Sequence, residues 1–282
     1  MKPILSRRSG LVALFVFVAA IPLGLVACGS DEEAQTLTFT VTQEGKGSKV
    51  GGPQSAEAGL AEITLQNDGK AESDLQLIRV DGDHSAEEVV EGLEAAMKGE
   101  AFPGWFFAGG GVGTTAAGKS QTVTQVLEPG TYYAFDTEGS QGPPDAASVP
   151  TLEVSGEESD DTVEADTTVE AFEYGFEAEA LPSGKTEVVF DNTGAQPHHL
   201  LASPLVGDST AEDVERFFKT NKGKPPLEEK GSQATAVIEG GEGQLVTLDL
   251  EPGRYALYCF ITDRQGGPPH ALKGMVDEVE VE

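Results

Sequence analysis

The sequence is poor in the residues that build disulfide frameworks and multinuclear metal centres. Only 2 Cys and 4 His occur among 282 residues, which excludes a scaffold held by several disulfides and an enzyme with several multi-histidine sites. Basic side chains are also scarce, because 18 Lys and Arg stand against 48 Asp and Glu and leave a formal net charge of −30. A surface of this sign repels a phosphate backbone, so we expect no nucleic-acid partner.

The remaining composition is that of a globular protein with many turns. Hydrophobic residues make up 38% of the chain, and 35 Gly and 16 Pro interrupt it. A wholly disordered acidic chain is therefore excluded. The length predicts two domains of ordinary size.

The N-terminal residues differ from the rest of the chain. Three basic side chains and no acidic one occur in residues 1–27, and an apolar run at residues 11–26 leads into Cys28. This pattern resembles the export signal and lipobox of bacterial lipoproteins, which implies cleavage before Cys28 and a lipid on its thiol. We expect the mature protein to work outside the cytoplasm, anchored to the cell membrane by that lipid. The alternative is an uncleaved membrane helix in which Cys28 is incidental.

The second half of the chain repeats landmarks of the first. Three pairs of segments lie 125, 124 and 123 residues apart: an Asn-x-Gly turn at 67–69 and 192–194, a helix capping box at 85–88 and 209–212, and a Glu-Pro-Gly-x-Tyr turn at 128–132 and 251–255. This spacing indicates tandem duplication of a unit of about 120 residues. The predicted boundaries are a signal at residues 1–27, a tether at 28–35, a first domain at 36–155, an acidic linker at 156–165 and a second domain at 166–282.

Each unit consists mostly of short strands separated by Gly and Pro turns. Apolar side chains alternate with polar or small ones at Leu37, Phe39 and Val41, and again at Phe172, Tyr174 and Phe176. One helix follows each capping box, with apolar faces formed by Val89, Val90, Leu93 and Met97 in the first unit and by Val214, Phe217 and Phe218 in the second. This pattern predicts an all-β protein made of two tandem antiparallel β-sandwich domains, each with one inserted helix.

The second unit contains the donors of a type 1 copper site. His198 and His199 follow an Asn-x-Gly turn, and Cys259, His270 and Met275 lie near the end of the chain. Two imidazoles and a thiolate in a trigonal set with a weak axial thioether are the ligands of blue copper. This arrangement resembles the cupredoxins, the family of plastocyanin and azurin, over roughly residues 166–282. The resemblance implies Greek-key, cupredoxin-like sandwiches with one type 1 copper ion in the C-terminal domain.

The resemblance leaves the first ligand open. Pro197-His198 is similar to the Pro-His step of plastocyanin and favours His198, whereas His199 points to the other face of the same strand. The segment from Cys259 to His270 is longer than in plastocyanin or azurin, and the His-x4-Met spacing after it is similar to that of copper nitrite reductases. Two other interpretations are core packing of the Cys and Met without metal, and zinc on the Cys and His side chains.

The first unit lacks these donors. Its equivalent positions hold Asp136 for Cys259, Asp145 for His270, and Ser73 and Asp74 for the histidine pair. We therefore predict a degenerate cupredoxin-like domain without a metal site, which serves as a spacer or as a docking surface. The aromatic side chains that such a surface would expose are Trp105, Phe106 and Phe107. The alternative places those side chains in the core.

Residues 113–120 match the phosphate-binding pattern G-x-x-x-x-G-K-S. A loop of this kind must follow a buried strand and open a helix whose amides face the phosphates. Here a glycine run precedes the motif, and an alternating Val-Thr-Gln-Val segment follows it. We therefore predict a strand, a turn and a second strand, and no nucleotide binding.

The sequence thus predicts a membrane-anchored, extracytoplasmic blue copper protein that carries single electrons and is not an enzyme. The excess of acidic side chains predicts a redox partner with a basic docking face. The alternative function is a cell-surface lipoprotein that binds copper or a protein partner without redox chemistry. An oxidase or nitrite reductase would need more histidines than His84 and the unused one of His198 and His199.

Overall fold

The computed structural model describes residues 34–44, 47–139 and 145–282. The predicted export signal and Cys28 lie outside these residues. The elements of the first half are β1 (Gln35–Glu44), β2 (Gly47–Gly51), β3 (Ser55–Glu57), β4 (Gly59–Asn67), β5 (Ser73–Val80), α1 (Ala86–Met97), β6 (Phe106–Thr115), β7 (Ser120–Leu127), β8 (Gly130–Phe135) and β9 (Thr151–Ser155). Those of the second half are β10 (Thr168–Phe172), β11 (Gly175–Ala178), β12 (Gly184–Asn192), β13 (Leu201–Pro204), α2 (Ala211–Thr220), β14 (Gln233–Ala234), β15 (Gly243–Leu250), β16 (Gly253–Tyr258), α3 (His270–Lys273) and β17 (Val276–Val281).

The two halves have the same strand topology. In the first half β1 pairs parallel with β4 and β4 antiparallel with β7, and in the second half β10, β12 and β15 repeat this arrangement. The facing sheets repeat as well, because β5, β8 and β9 pair antiparallel in order, as do β13, β16 and β17. The predicted all-β fold of two sandwiches is confirmed, although both are mixed rather than antiparallel. The parallel pairs are β1 with β4 and β3 with β9 in the first half, and β10 with β12 in the second.

One sheet runs through both halves. Its eight strands follow the order β11-β10-β12-β15-β7-β4-β1-β2, and the halves meet where β15 pairs with β7. The facing layers are a five-stranded sheet, β3-β9-β8-β5-β6, and a four-stranded sheet, β14-β13-β16-β17. A single cluster of buried apolar side chains contains residues of both sandwiches, and Glu33–Glu282 form one compact unit. Among the described residues, no helix is long and apolar enough to span a membrane.

The chain reverses direction where the alternating pattern predicted a continuous strand. Phe172 at the end of β10 pairs with Gly175 at the start of β11, so Glu173 and Tyr174 form the turn of a hairpin. The Glu173 carboxylate accepts hydrogen bonds from the backbone amides of Ala195 and Gln196, directly after the Asn-x-Gly turn, which fixes the hairpin against that segment. As a result Tyr174 faces the interior of the C-terminal half instead of lying on one face of a strand.

Both helices begin at capping boxes, with two differences from the sequence pattern. Ser85 caps α1 with Glu88, as predicted, but the cap of α2 is Thr210 with Asp213, one residue later than expected. Met97 does not join the buried face of α1, because 70% of its surface is exposed at the last residue of the helix. A further one-turn helix, α3, was not predicted; it lies beside the predicted metal ligands.

The phosphate-loop pattern lies in a hairpin rather than at the start of a helix. Its first residues end β6, residues 116–119 form a turn, and Ser120 begins β7. The amides of this turn therefore do not line a helix N-terminus, which a phosphate loop requires.

Candidate metal centre

His198 lies in a segment whose backbone is fixed on both sides. The amide of His198 donates to the carbonyl of Ile238 at 3.0 Å, and the amide of Ile238 donates back to His198 at 3.0 Å. The preceding turn is held by Asn192, a fully buried side chain whose Nδ2 donates to the carbonyl of Gln196 at 2.8 Å. The equivalent Asn67 is also buried and bonds the corresponding turn of the first half. The Asn-x-Gly landmark thus braces the turn that precedes the first donor.

The other three donors come from the segment that joins β16 to β17. Cys259 follows the last residue of β16, His270 begins α3, and Met275 immediately precedes β17. The amide of Ala271 donates to the carbonyl of Cys259 at 2.7 Å, and the amide of Met275 donates to the carbonyl of His270 at 3.0 Å. These bonds hold the three residues next to one another.

Three donor atoms converge in the interior of the second half. His198, Cys259 and His270 each offer one ligand atom, and these atoms all lie within 4.8 Å of one another. The Nδ1 atoms of the two rings are 3.0 Å apart, and the Cys259 sulfur is 3.6 Å from His270 Nδ1. All three side chains are fully buried, and Met275 is buried in the same core cluster as Cys259.

His199 does not belong to this cluster. Its Nε2, in the segment that precedes β13, accepts a hydrogen bond from the amide of Phe260 at 2.9 Å. Burial lowers the pKa of His199 to about 3, so its ring is neutral and accepts this bond. Of the two histidines that the sequence left open, the structure therefore brings only His198 to the other donors.

Burial also sets the protonation of the donors. It lowers the pKa of His198 to about 4, and it lowers the pKa of His270, although the neighbouring Asp263 opposes this second shift. Burial raises the pKa of Cys259 to about 12, against the hydrogen bonds that its sulfur accepts from the amides of His199 and Ile261. At neutral pH the imidazoles are uncharged, and the thiol needs a bound cation in order to ionise.

These donors fit a copper ion. A first-row metal ion lies about 2.0–2.3 Å from imidazole nitrogen and thiolate sulfur. Donor atoms separated by 3.0 and 3.6 Å can therefore contact one ion together. The two backbone amides on the Cys259 sulfur would stabilise the thiolate form. Two imidazoles, a thiolate and a thioether define a type 1 copper site, formed here by His198, Cys259, His270 and Met275.

The two rings differ in what their outer nitrogens contact. His270 Nε2 is 3.1 Å from a carboxylate oxygen of Asp263, whereas His198 Nε2 has no hydrogen-bond partner among the described residues. Asp263 in turn accepts hydrogen bonds from the hydroxyl of Tyr174 at 3.0 Å and from the ammonium group of Lys273. One imidazole of the site is thus held by a chain of polar side chains.

The ligand loop, residues 260–269, rests on the first half of the molecule. The amide of Phe102 donates to the carbonyl of Arg264 at 2.8 Å, and the amide of Gly267 donates to the carbonyl of Gly99 at 3.0 Å. The loop therefore contacts the first half through its backbone at both of these positions. Contact with the first half explains how a long loop leaves His270 fully buried.

Arg264 is the main side-chain anchor of the ligand loop. Its guanidinium donates to the carbonyl of Phe106 at 2.8 Å and pairs with Glu239 at 2.8 Å, and both charged side chains are mostly buried. The guanidinium carbon also lies 4.7 Å from the centroid of the Phe107 ring. A single arginine therefore links the ligand loop to the backbone and to an aromatic ring of the first half.

The predicted aromatic docking surface is not formed as expected. Phe106 is buried, because it packs in the core beneath α1. Trp105 is half-buried and stacks on the ring of His84 with 3.7 Å between centroids. Phe107 is half-buried between Arg79 and Arg264. These rings join elements within the molecule instead of facing a partner.

The position in the first half that corresponds to the copper site holds oxygen atoms. Asp136 follows β8 as Cys259 follows β16, and its Oδ1 accepts hydrogen bonds from the amides of Asp74 and Gly139. Asp74 accepts from the amides and the hydroxyl of the next turn. Asp145 caps a 3-10 turn at Ala146–Ser148 and is exposed, whereas Asp136 and Asp74 are buried. The carboxylates hold the loop in place of the soft donors found in the second half.

Sequence reasoning missed the polar chain behind His270 and the anchor of the ligand loop. Asp263 and Arg264 are the only charged residues in residues 260–269, and this isolation was the signal that could have identified them. Tyr174 carried no such signal, because the alternating pattern placed it within a strand. Lys273 lies between two predicted ligands, where a turn of helix was not expected.

No family model matches the sequence, and a search of curated proteins found no match. Among solved structures, the chain is similar to a dithionite-reduced auracyanin from Roseiflexus castenholzii, with 21% identity, a TM-score of 0.28, and coverage of 41% of this chain and 94% of that one. Auracyanin A from Chloroflexus aurantiacus has 19% identity and a TM-score of 0.27, over 41% and 98% of the two chains. The multicopper oxidase mgLAC has 11% identity and a TM-score of 0.25, over 89% and 87%. The copper site is therefore defined by its own side chains and their distances.

Proposed function

We propose that this protein is a blue copper electron carrier. The observation that supports this function most directly is the convergence of two imidazole nitrogens and one thiol sulfur in the buried interior, in the same core as a buried Met. Bound copper would supply a one-electron couple between Cu(I) and Cu(II). The fold contributes a rigid set of ligands, because His198 is fixed by a backbone bridge and the other three donors by a hydrogen-bonded turn.

The protein side chains would keep the site geometry the same in both oxidation states. Cys259 offers a sulfur that already accepts two backbone hydrogen bonds, and Met275 packs in the core, so neither can move without disturbing its neighbours. Phe260, the residue after the thiol, has 40% of its surface exposed. The covalent link from Cys259 to Phe260 therefore offers a route from the sulfur to the protein surface.

We propose a carrier rather than an oxidase because every remaining histidine has another role. The chain has 4 His, of which two are in the copper site. His84 stacks on Trp105, and His199 accepts a hydrogen bond from the amide of Phe260. A second centre built from several histidines would need imidazoles that this chain does not have.

The electron partner that we propose has a basic face. The formal net charge of −30 favours encounter with positively charged proteins and disfavours acidic ones. We also propose that a lipid on Cys28 anchors the protein outside the cytoplasm, on the basis of the signal and lipobox pattern. Cys28→Ala should release the protein from the membrane fraction, and full retention after signal cleavage would contradict the anchor.

The carrier function is tested by loading the purified protein with Cu(II). We expect an intense visible absorption band from the thiolate–copper bond and a reversible one-electron wave in voltammetry. Cys259→Ser should remove the band, because a serine hydroxyl stays protonated at neutral pH. A coloured complex without a reversible wave would favour copper binding without redox function. Absence of any strong band in the wild-type protein would contradict the type 1 site itself.

A further inference from the structure

The polar chain behind His270 connects a copper ligand to charged groups near the surface. Asp263 Oδ1 is 3.1 Å from His270 Nε2, and the same carboxylate accepts from the Tyr174 hydroxyl and from Lys273. The ammonium group of Lys273 also donates to the Tyr174 hydroxyl at 3.0 Å and lies 4.5 Å from the centroid of its ring. The Asp263 side chain is 19% exposed, so water screens these contacts only in part.

The contact with Asp263 decides which nitrogen of His270 carries the proton. The Asp263 carboxylate is ion-paired with Lys273 and accepts a hydrogen bond from the Tyr174 hydroxyl, so it faces His270 as an acceptor. An ionised carboxylate can only accept hydrogen bonds, so the proton of the neutral ring lies on Nε2. The Nδ1 lone pair of His270 then faces Cys259 and His198.

We propose that Asp263 is a positioning residue that fixes the ring of His270 for copper and lowers the reduction potential of the site. This inference rests on the proposed electron-carrier function. A carboxylate on the outer nitrogen makes the imidazole a stronger donor, which stabilises Cu(II) more than Cu(I). Lys273 opposes this effect, because its positive charge draws on the same carboxylate. Asp263 and Lys273 therefore change the reduction potential in opposite directions.

The ring of His198 provides a comparison for the hydrogen bond between His270 and Asp263. His198 Nε2 lies 3.9 Å from an oxygen of Glu173, which is beyond hydrogen-bond distance. The Glu173 carboxylate is bonded instead to the amides of Ala195 and Gln196. Removing the charge of Glu173 thus changes the electrostatics near the site without removing a bond to an imidazole.

The experiment measures the reduction potential and visible spectrum of the copper-loaded full chain in four forms: wild type, Asp263→Asn, Lys273→Met and Glu173→Gln. We expect Asp263→Asn to weaken Cu(II) binding about tenfold relative to Cu(I), which raises the potential by about 59 mV. Lys273→Met should lower the potential. Glu173→Gln, the control for loss of one charge, should raise it by clearly less than Asp263→Asn.

The signs of the shifts separate a positioning role from a merely structural one. The proposal is overturned if the potential shifts no more in Asp263→Asn than in Glu173→Gln, or if it rises in Lys273→Met. In either case a visible absorption band in the copper-loaded wild type would still support the carrier function. If a variant loses copper, the dissociation rates of Cu(II) and Cu(I) are measured instead. A selective loss of Cu(II) from Asp263→Asn supports the proposal, and equal loss of both ions overturns it. A wild-type protein without the band would instead contradict the carrier function.

Discussion

Three of the four copper-binding residues are held by a neighbour that is not itself a ligand. The Cys259 sulfur accepts from two backbone amides, His270 is bonded to Asp263, and the backbone of His198 is paired with Ile238. Such contacts restrict the rotamers of the ligands before any metal binds. Substitutions at single residues should therefore separate ligands from their neighbours by spectroscopic signature and not merely by loss of stability.

The adjacent histidines provide the sharpest test of the ligand set. His198→Ala should weaken Cu(II) binding and shift the visible band, because an equatorial nitrogen is replaced by water. His199→Ala should keep the band at its wild-type position, since His199 bonds to the amide of Phe260 and not to the cluster. Copper titration followed by absorption distinguishes the two. A lost band in His199→Ala with a normal band in His198→Ala would reverse the assignment.

Asp74 should make stability depend on pH. Burial raises its pKa from the ordinary 3.8 to about 7, opposed by a hydrogen bond from Thr137 and supported by the charges of Glu138 and Asp136. Between about pH 4 and 7 the folded protein thus holds a proton that the unfolded chain has lost, and this contribution to stability falls as the pH rises. Asp74→Asn should reduce the slope by up to about 1.4 kcal/mol per pH unit.

This prediction is checked by urea unfolding of the metal-free protein at several pH values. Asp68→Asn, an exposed carboxylate on the same half, controls for the loss of one surface charge. An unchanged slope in Asp74→Asn would show that the buried carboxylate does not carry the effect.

At the scale of elements, the ligand loop depends on the first half of the molecule. Its backbone bonds to Gly99 and Phe102, and Arg264 reaches the carbonyl of Phe106. The first half therefore supports the ligand loop that leads to the buried His270. This arrangement gives the first half a role in the site although it contributes no ligand.

Removing the Arg264 anchor should destabilise the protein and speed the loss of copper. Arg264→Ala leaves Glu239 mostly buried without its partner and one carbonyl without a donor, which costs about 2–4 kcal/mol. Arg254→Ala is the matched control: its ion pair with Glu278 is more exposed and is worth about 0–1 kcal/mol. Urea unfolding and the transfer of copper to a chelator measure both effects. Equal copper retention in the two variants would contradict the anchoring role.

The sequence predicted the elements that depend on local patterns. The strand at Leu37, Phe39 and Val41 was confirmed because its alternating side chains face the core. The hairpin at Tyr174 was missed, since an aromatic residue in a turn has the same spacing as one in a strand. Met97 was wrongly placed on the buried face of α1. Helical periodicity shows which side of a helix is apolar, but it does not show how far along the helix that side stays covered.

The sequence predicted those parts of the copper site that follow from the types of residue and their order. Cys259, His270 and Met275 were identified by their order along the chain, whereas the choice between His198 and His199 needed the direction of each side chain. The roles of Asp263 and Arg264 depend on contacts with Tyr174, Lys273 and the first half, which no spacing in one sequence encodes. Contacts between distant segments are set by the fold as a whole.

At the scale of the whole molecule, a polar network and close backbone contact join the two sandwiches. Buried Gln244 donates to Gln125 at 2.7 Å, and Gln76 bonds to the amide and carbonyl of Val237. A Cβ atom at Gly113 would lie 1.8 Å from the carbonyl oxygen of Ala234, so only glycine allows this approach. Separating the halves would leave these amides without partners, and the halves therefore behave as one structural unit.

The net charge of the whole molecule predicts how an electron partner is found. With a formal charge of −30, the field extends about 8 Å at 0.15 M salt and about 30 Å at 0.01 M. The bimolecular rate of electron transfer with a small basic haem protein should therefore rise tenfold or more as the salt is lowered between these values. With an acidic haem protein of similar potential the rate should fall, because like charges repel. Stopped-flow absorption at the copper band measures both rates. The same salt dependence for the two partners would contradict steering by net charge and point to docking through an uncharged surface.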